Sequence, residues 1–188
     1  MIIVGVTGLS GSGKDTVAEY LQAKGFMAAS LSDRIREECT KREWPLNRDT
    51  LTRVGNELRE NFGLSVLAKR SLEMIKNSGQ DKFVLTSIRH PAEVEFLRSQ
   101  GGFFLLMVSV PIEIRFERIK GLHRIGDEEL TLEKFKEQEA RELAGSASQQ
   151  QLLKVMELSD FKIDNSGSLE ETQKQVEEVL EKIKTTTG

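Results

Sequence analysis

The sequence predicts an α/β domain: a central parallel sheet with helices on both faces. Three observations predict it. Short apolar, β-branched runs alternate with longer segments of helical periodicity along the whole chain, the pattern of βα units. The apolar runs are nearly continuous, as strands buried on both faces require. At 188 residues, 38% hydrophobic and 30% charged, the chain fits a single domain (1–188) large enough to bury a real core.

Ile2-Ile3-Val4-Gly5-Val6 reads as the first strand. It leads straight into a glycine-rich loop and has no basic region before it, so it reads as a core strand rather than a signal peptide. A helix carrying Val17, Ala18 and Leu21 follows, ended by Gly25. Met27 to Leu31 reads as a short second strand, then comes a polar helix from Ser32 to Lys41. Trp44-Pro45-Leu46 interrupts the pattern, because proline disfavours helix in the residue before it. Leu51, Val54, Leu58 and Phe62 recur at helical spacing until Gly63. Leu64, Leu67, Ala68, Leu72 and Ile75 give another stripe, closed by Asn77-Ser78-Gly79. Phe83 to Ile88 is a strand, and Pro91 opens a short helix with Val94 and Leu97. Gly101-Gly102 turns the chain into Phe103 to Val110, the most apolar strand. Pro111 suits the first turn of a helix through Ile112, Phe116 and Ile119. A charged loop spans about 120–130, and a helix lies near Leu132, Phe135 and Leu143. Ser146 and Gln149 stand at capping-box spacing before Leu152, Leu153 and Met156. Phe161-Lys162-Ile163 is the last strand. Ser168 and Glu171 form a second capping box, ahead of a helix with Val176, Leu180 and Ile183. The loops at 120–130 and 144–147 are the candidates for motion.

Composition excludes several classes. A net charge of −3 argues against general affinity for nucleic acid or anionic membrane. Cys39 is the only cysteine, which rules out an internal disulfide and points to a cytosolic (cytoplasmic) setting. Two histidines, His90 and His123, exclude a multi-histidine metal site. No apolar run approaches the length of a membrane span.

The chemistry concentrates at Gly8-Leu9-Ser10-Gly11-Ser12-Gly13-Lys14. Glycines five apart followed by lysine match the first seven positions of GxxxxGK[ST]. Gly8, Gly11 and Gly13 let the backbone approach a phosphate chain. The N–H groups around Ser10 and Ser12 then form an anion nest at a helix N-terminus. Lys14 reaches the β- and γ-phosphates as a mobile point charge. The loop follows a strand and opens a helix, the context this motif requires. One position departs from the pattern. Asp15 stands where a Ser or Thr hydroxyl normally meets Mg²⁺, with Thr16 next. Asp15 reads either as the metal ligand or as a carboxylate complementing the helix dipole. Thr16 is assigned to the α-phosphate.

The run Ser-Gly-Ser-Gly-Lys-Asp-Thr resembles the P-loop of deoxynucleoside monophosphate kinases and of dephospho-coenzyme A kinases. Further stretches are similar: Ser32-Asp33-Arg34-Ile35-Arg36-Glu37, Ser87-Ile88-Arg89-His90-Pro91-Ala92-Glu93-Val94-Glu95, and Asp160 through Ser168. The resemblance implies a three-layer P-loop NTPase fold with a helical acceptor-binding region at about 32–78 and a lid at about 120–130. It implies ATP as donor, Mg²⁺, and a nucleotide-like acceptor. A (deoxy)nucleoside monophosphate is the first expectation, dephospho-coenzyme A the second, and a non-catalytic nucleotide-binding switch or scaffold the rival from another class.

On that resemblance Asp33 is the candidate catalytic carboxylate, and with Asp15 a candidate metal ligand. The alternative for Asp33 is a first-turn cap. Arg36 is read as gripping the acceptor phosphate or as pairing with Glu37. Arg89 is read as an acceptor or phosphate contact at a strand end, or as a partner of Glu93. Arg53 and Arg59 read as a solvated helix face, and His90 as packing or turn. Arg118 and Arg124 are the lid arginines expected to stabilise the transferring phosphoryl group, with Arg115, Lys120 and Arg141 nearby. Asn165 and Gly167 are expected to line the base pocket. Relatives of this kind carry an acid near the end of the third core strand; here Thr86 and Ser87 stand there.

Overall fold

The computed structural model describes residues 1–121, 131–143 and 151–187. Its strands are β1 (Ile2–Thr7), β2 (Met27–Ser30), β3 (Lys82–Thr86), β4 (Phe103–Ser109) and β5 (Phe161–Asp164). All pair in parallel, in the order β2-β3-β1-β4-β5. The helices are α1 (Lys14–Ala23), α2 (Leu31–Lys41), α3 (Arg48–Phe62), α4 (Val66–Lys76), α5 (Pro91–Ser99), α6 (Ile112–Gly121), α7 (Leu132–Leu143), α8 (Leu152–Glu157) and α9 (Leu169–Thr187).

The period-two geometry of the strands sorts their side chains into two cores. Ile3, Phe83, Leu85, Phe103 and Leu105 face one side and pack against α2, α3, α4, α5 and α8. Val4, Val6, Val84, Leu106, Val108 and Ile163 face the other and pack against α1 and α9. This is the expected three-layer arrangement. Gly25 (φ 88) and Gly63 (φ 92) stop α1 and α3 in conformations that favour glycine. Ser168 and Glu171 exchange the expected capping-box bonds, at 2.7 and 3.2 Å.

Several boundaries differ from the sequence reading by a residue or two, those of β3 and α4 among them. β3 ends at Thr86, and Ser87 turns into the left-handed region (φ 62) rather than continuing the strand. α4 starts at Val66, not Leu64: Gly63 ends α3, and a turn in which Val66 N donates to the Gly63 carbonyl at 3.0 Å precedes the new helix. The expected Ser146/Gln149 capping box and most of the 120–130 lid lie outside the described residues. Among the described residues no helix is long and apolar enough to cross a membrane.

The order β2-β3-β1-β4-β5 puts β1 at the centre. The chain leaves β1 toward β2 on one side, with β4 and β5 on the other. Ligands of open parallel sheets gather at the carboxyl ends of strands flanking such a switch. The loop after β1 lies there.

Candidate active site

The loop from Gly8 to Gly13 is held from behind by two side chains. Asn165, buried in the turn after β5, donates from Nδ2 to the Ser12 carbonyl at 2.8 Å. Its Oδ1 accepts from the Thr172 hydroxyl of α9 at 2.7 Å. Arg115 of α6 donates from Nη1 to the Ser10 carbonyl at 3.2 Å and from Nε to the Val110 carbonyl at 3.1 Å. The same guanidinium, 4% exposed, grips the Glu139 carboxylate of α7 with both terminal nitrogens. Two loop carbonyls are thereby fixed on the outer side, and the arrangement leaves the amides to face an anion.

Gly13 shows how tight this backing is. Its φ is 82, and a Cβ added there would stand 2.1 Å from Asn165 Nδ2. Gly13→Ala is therefore expected to push Asn165 off the Ser12 carbonyl and to weaken ATP binding by at least ~10-fold, as one charge-assisted contact or more is lost. Calorimetric titration with an unhydrolysable ATP analogue reads this. An unchanged dissociation constant would show that the Asn165 bond does not shape the cradle.

In front of the loop lies a cavity of about 780 Å³, within the span of about 300–1,000 Å³ usual for small-molecule sites. Gly8, Ser10, Lys14 and Asp15 form one wall. Ser32, Ile35 and Arg36 of α2, with Arg48, Leu51, Gly55 and Arg59 of α3, form the opposite wall. Ser87 and Arg89 lie at the end of β3, and Phe135, Gln138 and Glu139 of α7 close the side. Among the described residues, five cations line this space against two carboxylates, Asp15 and Glu139. In a chain of net charge −3 such a concentration marks an anion site.

The predicted residues fall into three groups. Gly8, Ser10, Lys14, Asp15, Arg36 and Arg89 are brought together on the cavity wall. Asp33 is not on it. Its Oδ2 accepts from Ser30 N at 3.2 Å as the α2 capping box, and its Oδ1 lies 3.4 Å from Arg36 Nη1. Arg36 also donates to Ser32 Oγ at 2.6 Å, and the hydroxyls continue from Ser32 through Ser30 to Ser87. Glu37 pairs instead with Arg34. Arg118 stands behind the cradle, donating to the Asn165 carbonyl at 2.8 Å beside Gly13. Gly167 lies in the same turn, where Ser166 donates from its hydroxyl and amide to Asp164 and holds that carboxyl below the usual carboxylate range. Arg124 lies outside the described residues.

Two sequence readings change and one, that of His90 as packing or turn, is sharpened. Arg59 is not on a solvated face. It is 5% exposed and donates from Nη2 to fully buried Glu93 at 3.0 Å. Glu93 therefore takes the Arg59 guanidinium as an ion-pair partner. Its other oxygen accepts from the Arg89 and His90 amides at 2.8 and 3.1 Å. His90 is the N-cap of α5, its Nδ1 accepting from Ala92 N at 3.1 Å. The missed signal was spacing: Leu51, Gly55 and Arg59 recur every four residues and share one helix face. His90 and Glu93 stand at capping-box spacing, obscured because histidine is an uncommon cap.

The chain is similar to known proteins along nearly its whole length. A family model described as AAA domain matches residues 4–141. A UPF0200 protein of Methanothermobacter thermautotrophicus is 34% identical over 97% of this chain and 91% of its own length. A UPF0200/UPF0201 protein of Archaeoglobus fulgidus is 33% identical over 97% of this chain, which spans 56% of that longer relative. Among solved structures, TT1252 from Thermus thermophilus superposes with a TM-score of 0.59 at 24% identity, over 96% of this chain and 97% of the other. Shikimate kinase from Bacteroides thetaiotaomicron superposes with a TM-score of 0.58 at 12% identity, over 97% and 98%. The fold is that of P-loop kinases.

Proposed function

The chain belongs to the AAA domain family and to the UPF0200 proteins, and from that premise we propose that it is a small-molecule phosphotransferase. It moves the γ-phosphoryl group of ATP to a nucleotide-like acceptor. One observation carries the reading: Lys14 of the phosphate cradle and the guanidinium wall of Arg36, Arg48, Arg59 and Arg89 line one continuous cavity. A cradle for a donor alone has no use for a second cationic wall across the same space.

Residue roles follow from position. The Gly8–Lys14 loop with Thr16 holds the triphosphate. Lys14 offsets charge that grows on the β–γ bridge as the bond breaks. Arg118, Asn165 and Gly167, behind the cradle, mark the side on which the ATP base and ribose lie. Arg36 and Arg89 face the acceptor. Asp15, the carboxylate on the cavity wall beside Lys14, fits Mg²⁺, which takes hard oxygen ligands and keeps much of its water and phosphate shell. An ion held there would supply charge neutralisation for the transferring phosphoryl group. Asp33 joins as a metal or catalytic residue only by releasing its cap. Arg124 is assigned to the transferring phosphoryl group through the kinase resemblance alone.

The acceptor of first choice is a (deoxy)nucleoside monophosphate, and the second is dephospho-coenzyme A. The rival is a nucleotide-binding switch or scaffold, favoured by the committed Asp33 carboxylate and by the hydroxyls of Thr86 and Ser87 at the end of β3. A coupled ADP-release assay across the common monophosphates and dephospho-coenzyme A separates these readings. Release stimulated at least ~10-fold by one acceptor is the expected outcome, well above the modest background that water attack gives. Tight ATP binding without any acceptor-stimulated release sinks the phosphotransferase reading.

A further inference from the structure

Ser87 stands just past the end of β3 with φ 62. That left-handed conformation is uncommon for a residue with a side chain and stores local strain. Strand register places it. β1 and β3 run in parallel with Gly5 beside Leu85, so two residues further along each strand Ser87 comes level with Thr7, the residue before the glycine loop. Ser87 and Ser32 line the cavity together with Gly8, Ser10 and Lys14.

A chain of hydroxyls ends on Ser87, and its protons fix its direction. A guanidinium only donates, and a serine hydroxyl carries one proton. Arg36 Nη1 donates to Ser32 Oγ at 2.6 Å. Ser30 spends its proton on Ser87 Oγ at 2.9 Å. The 2.8 Å contact between Ser32 and Ser30 therefore has Ser32 as its donor. Every bond points the same way, from Arg36 through Ser32 and Ser30 to Ser87. Ser87 Oγ accepts at the end of this chain, and its own proton has no acceptor among the described residues. Bonds aligned in this way polarise one another, so the cation at the far end makes the Ser87 hydroxyl a stronger donor. Asp33 Oδ1, 3.4 Å from Arg36 Nη1, offsets part of that charge, but at the opposite end of the chain and off the cavity wall.

A preset donor on the wall of a cationic cavity suits an anionic oxygen. Resting on the reading of Gly8–Lys14 as the triphosphate cradle, we infer that Ser87 is a further ligand-binding residue, its hydroxyl donating to an oxygen of the terminal phosphate of the bound nucleoside triphosphate. Its place beside the start of the loop, rather than on α3, favours the donor's terminal phosphate over the acceptor. The strained turn holds Oγ against Ser30 and leaves the proton for the cavity. A nucleoside diphosphate lacks the group that Ser87 meets, so this one hydroxyl separates the loaded nucleotide from the spent one.

The test is calorimetric titration of the full chain, in the presence of Mg²⁺, with AMPPNP and with ADP. Ser87→Ala removes the hydroxyl and keeps the turn strained. Ser87→Gly removes the hydroxyl and relieves the strain, since glycine accepts positive φ. Both variants are expected to weaken AMPPNP binding at least ~10-fold, the usual loss of one hydrogen bond to a charged group, and to leave ADP binding within about twofold. Ser87→Gly is expected to melt at a higher temperature than Ser87→Ala, so a loss that both share does not come from a weakened fold. If Ser87→Ala does not fold, Ser87→Gly carries the readout alone. An AMPPNP dissociation constant within about threefold of the unsubstituted protein in folded Ser87→Gly overturns the inference and leaves the cradle reading intact. Equal losses for AMPPNP and ADP also overturn it, because Ser87 would then shape the loop rather than meet the terminal phosphate. Failure of the unsubstituted chain to bind either nucleotide overturns the cradle reading and the inference with it.

Discussion

Lys14→Ala is expected to lower kcat by about 10²–10³-fold, the usual cost of removing one positioned charge from a transition state. The loss follows from position. Lys14 is the first residue of α1, immediately after the left-handed Gly13, so its side chain starts where the amides of the loop converge. It lines the same cavity as Arg36, Arg48, Arg59 and Arg89. The thermal midpoint should change little, because Lys14 belongs to neither hydrophobic core. Steady-state kinetics with whichever acceptor stimulates ADP release, set beside a melting curve, separates the two effects. A kcat within about threefold of the unsubstituted protein would mean that Lys14 is not at the transferring group.

Glu93→Ala is expected to have the largest effect on stability, about 3–5 kcal/mol. The side chain is fully buried and serves three donors, the Arg59 guanidinium and the amides of Arg89 and His90. Truncation leaves a 5%-exposed guanidinium without its counter-charge and removes the Glu93 half of the α5 capping box. At roughly 2–4 °C per kcal/mol for a chain of this length, the midpoint should fall by roughly 6–20 °C. Glu93→Gln keeps an acceptor for the cap and should cost less. Reversible denaturant unfolding measures both. A loss below about 1 kcal/mol for Glu93→Ala would show that Arg59 finds another partner or water when Glu93 is gone.

Much of this architecture was legible because it rests on local chemistry. Ile2 to Val6, Phe83 to Leu85 and Phe103 to Val108 are strands on composition and length alone, and the structure pairs them around a central β1. The glycine loop is recognisable from spacing, since its backbone angles and close approaches admit little else. Ser168 and Glu171 fixed a helix start from two residues.

What stayed illegible depends on distant partners. Arg59 and Glu93 are 34 positions apart, and no periodicity announces that one helix will bury its arginine against the cap of another. Asp33 was readable as either a cap or a catalytic acid because both need a carboxylate in a first helical turn. Only the placement of Ser30 N and Arg36 shows which partners it holds here. Asn165 looked like a turn residue in the candidate base pocket. Its buried amide also braces the Ser12 carbonyl, 153 positions away in the chain.

The two cores on opposite faces of the sheet have an evolutionary consequence. The layer under α1 and α9 supports the cradle, while the layer under α2 to α5 supports the guanidinium wall. Side chains on the cavity surface of α2 and α3 can be exchanged without repacking the layer beneath the glycine loop. Descendants of one ancestral fold can therefore diverge in what they bind against α2 and α3 while inheriting the glycine loop unaltered, a division of labour written into the sheet itself.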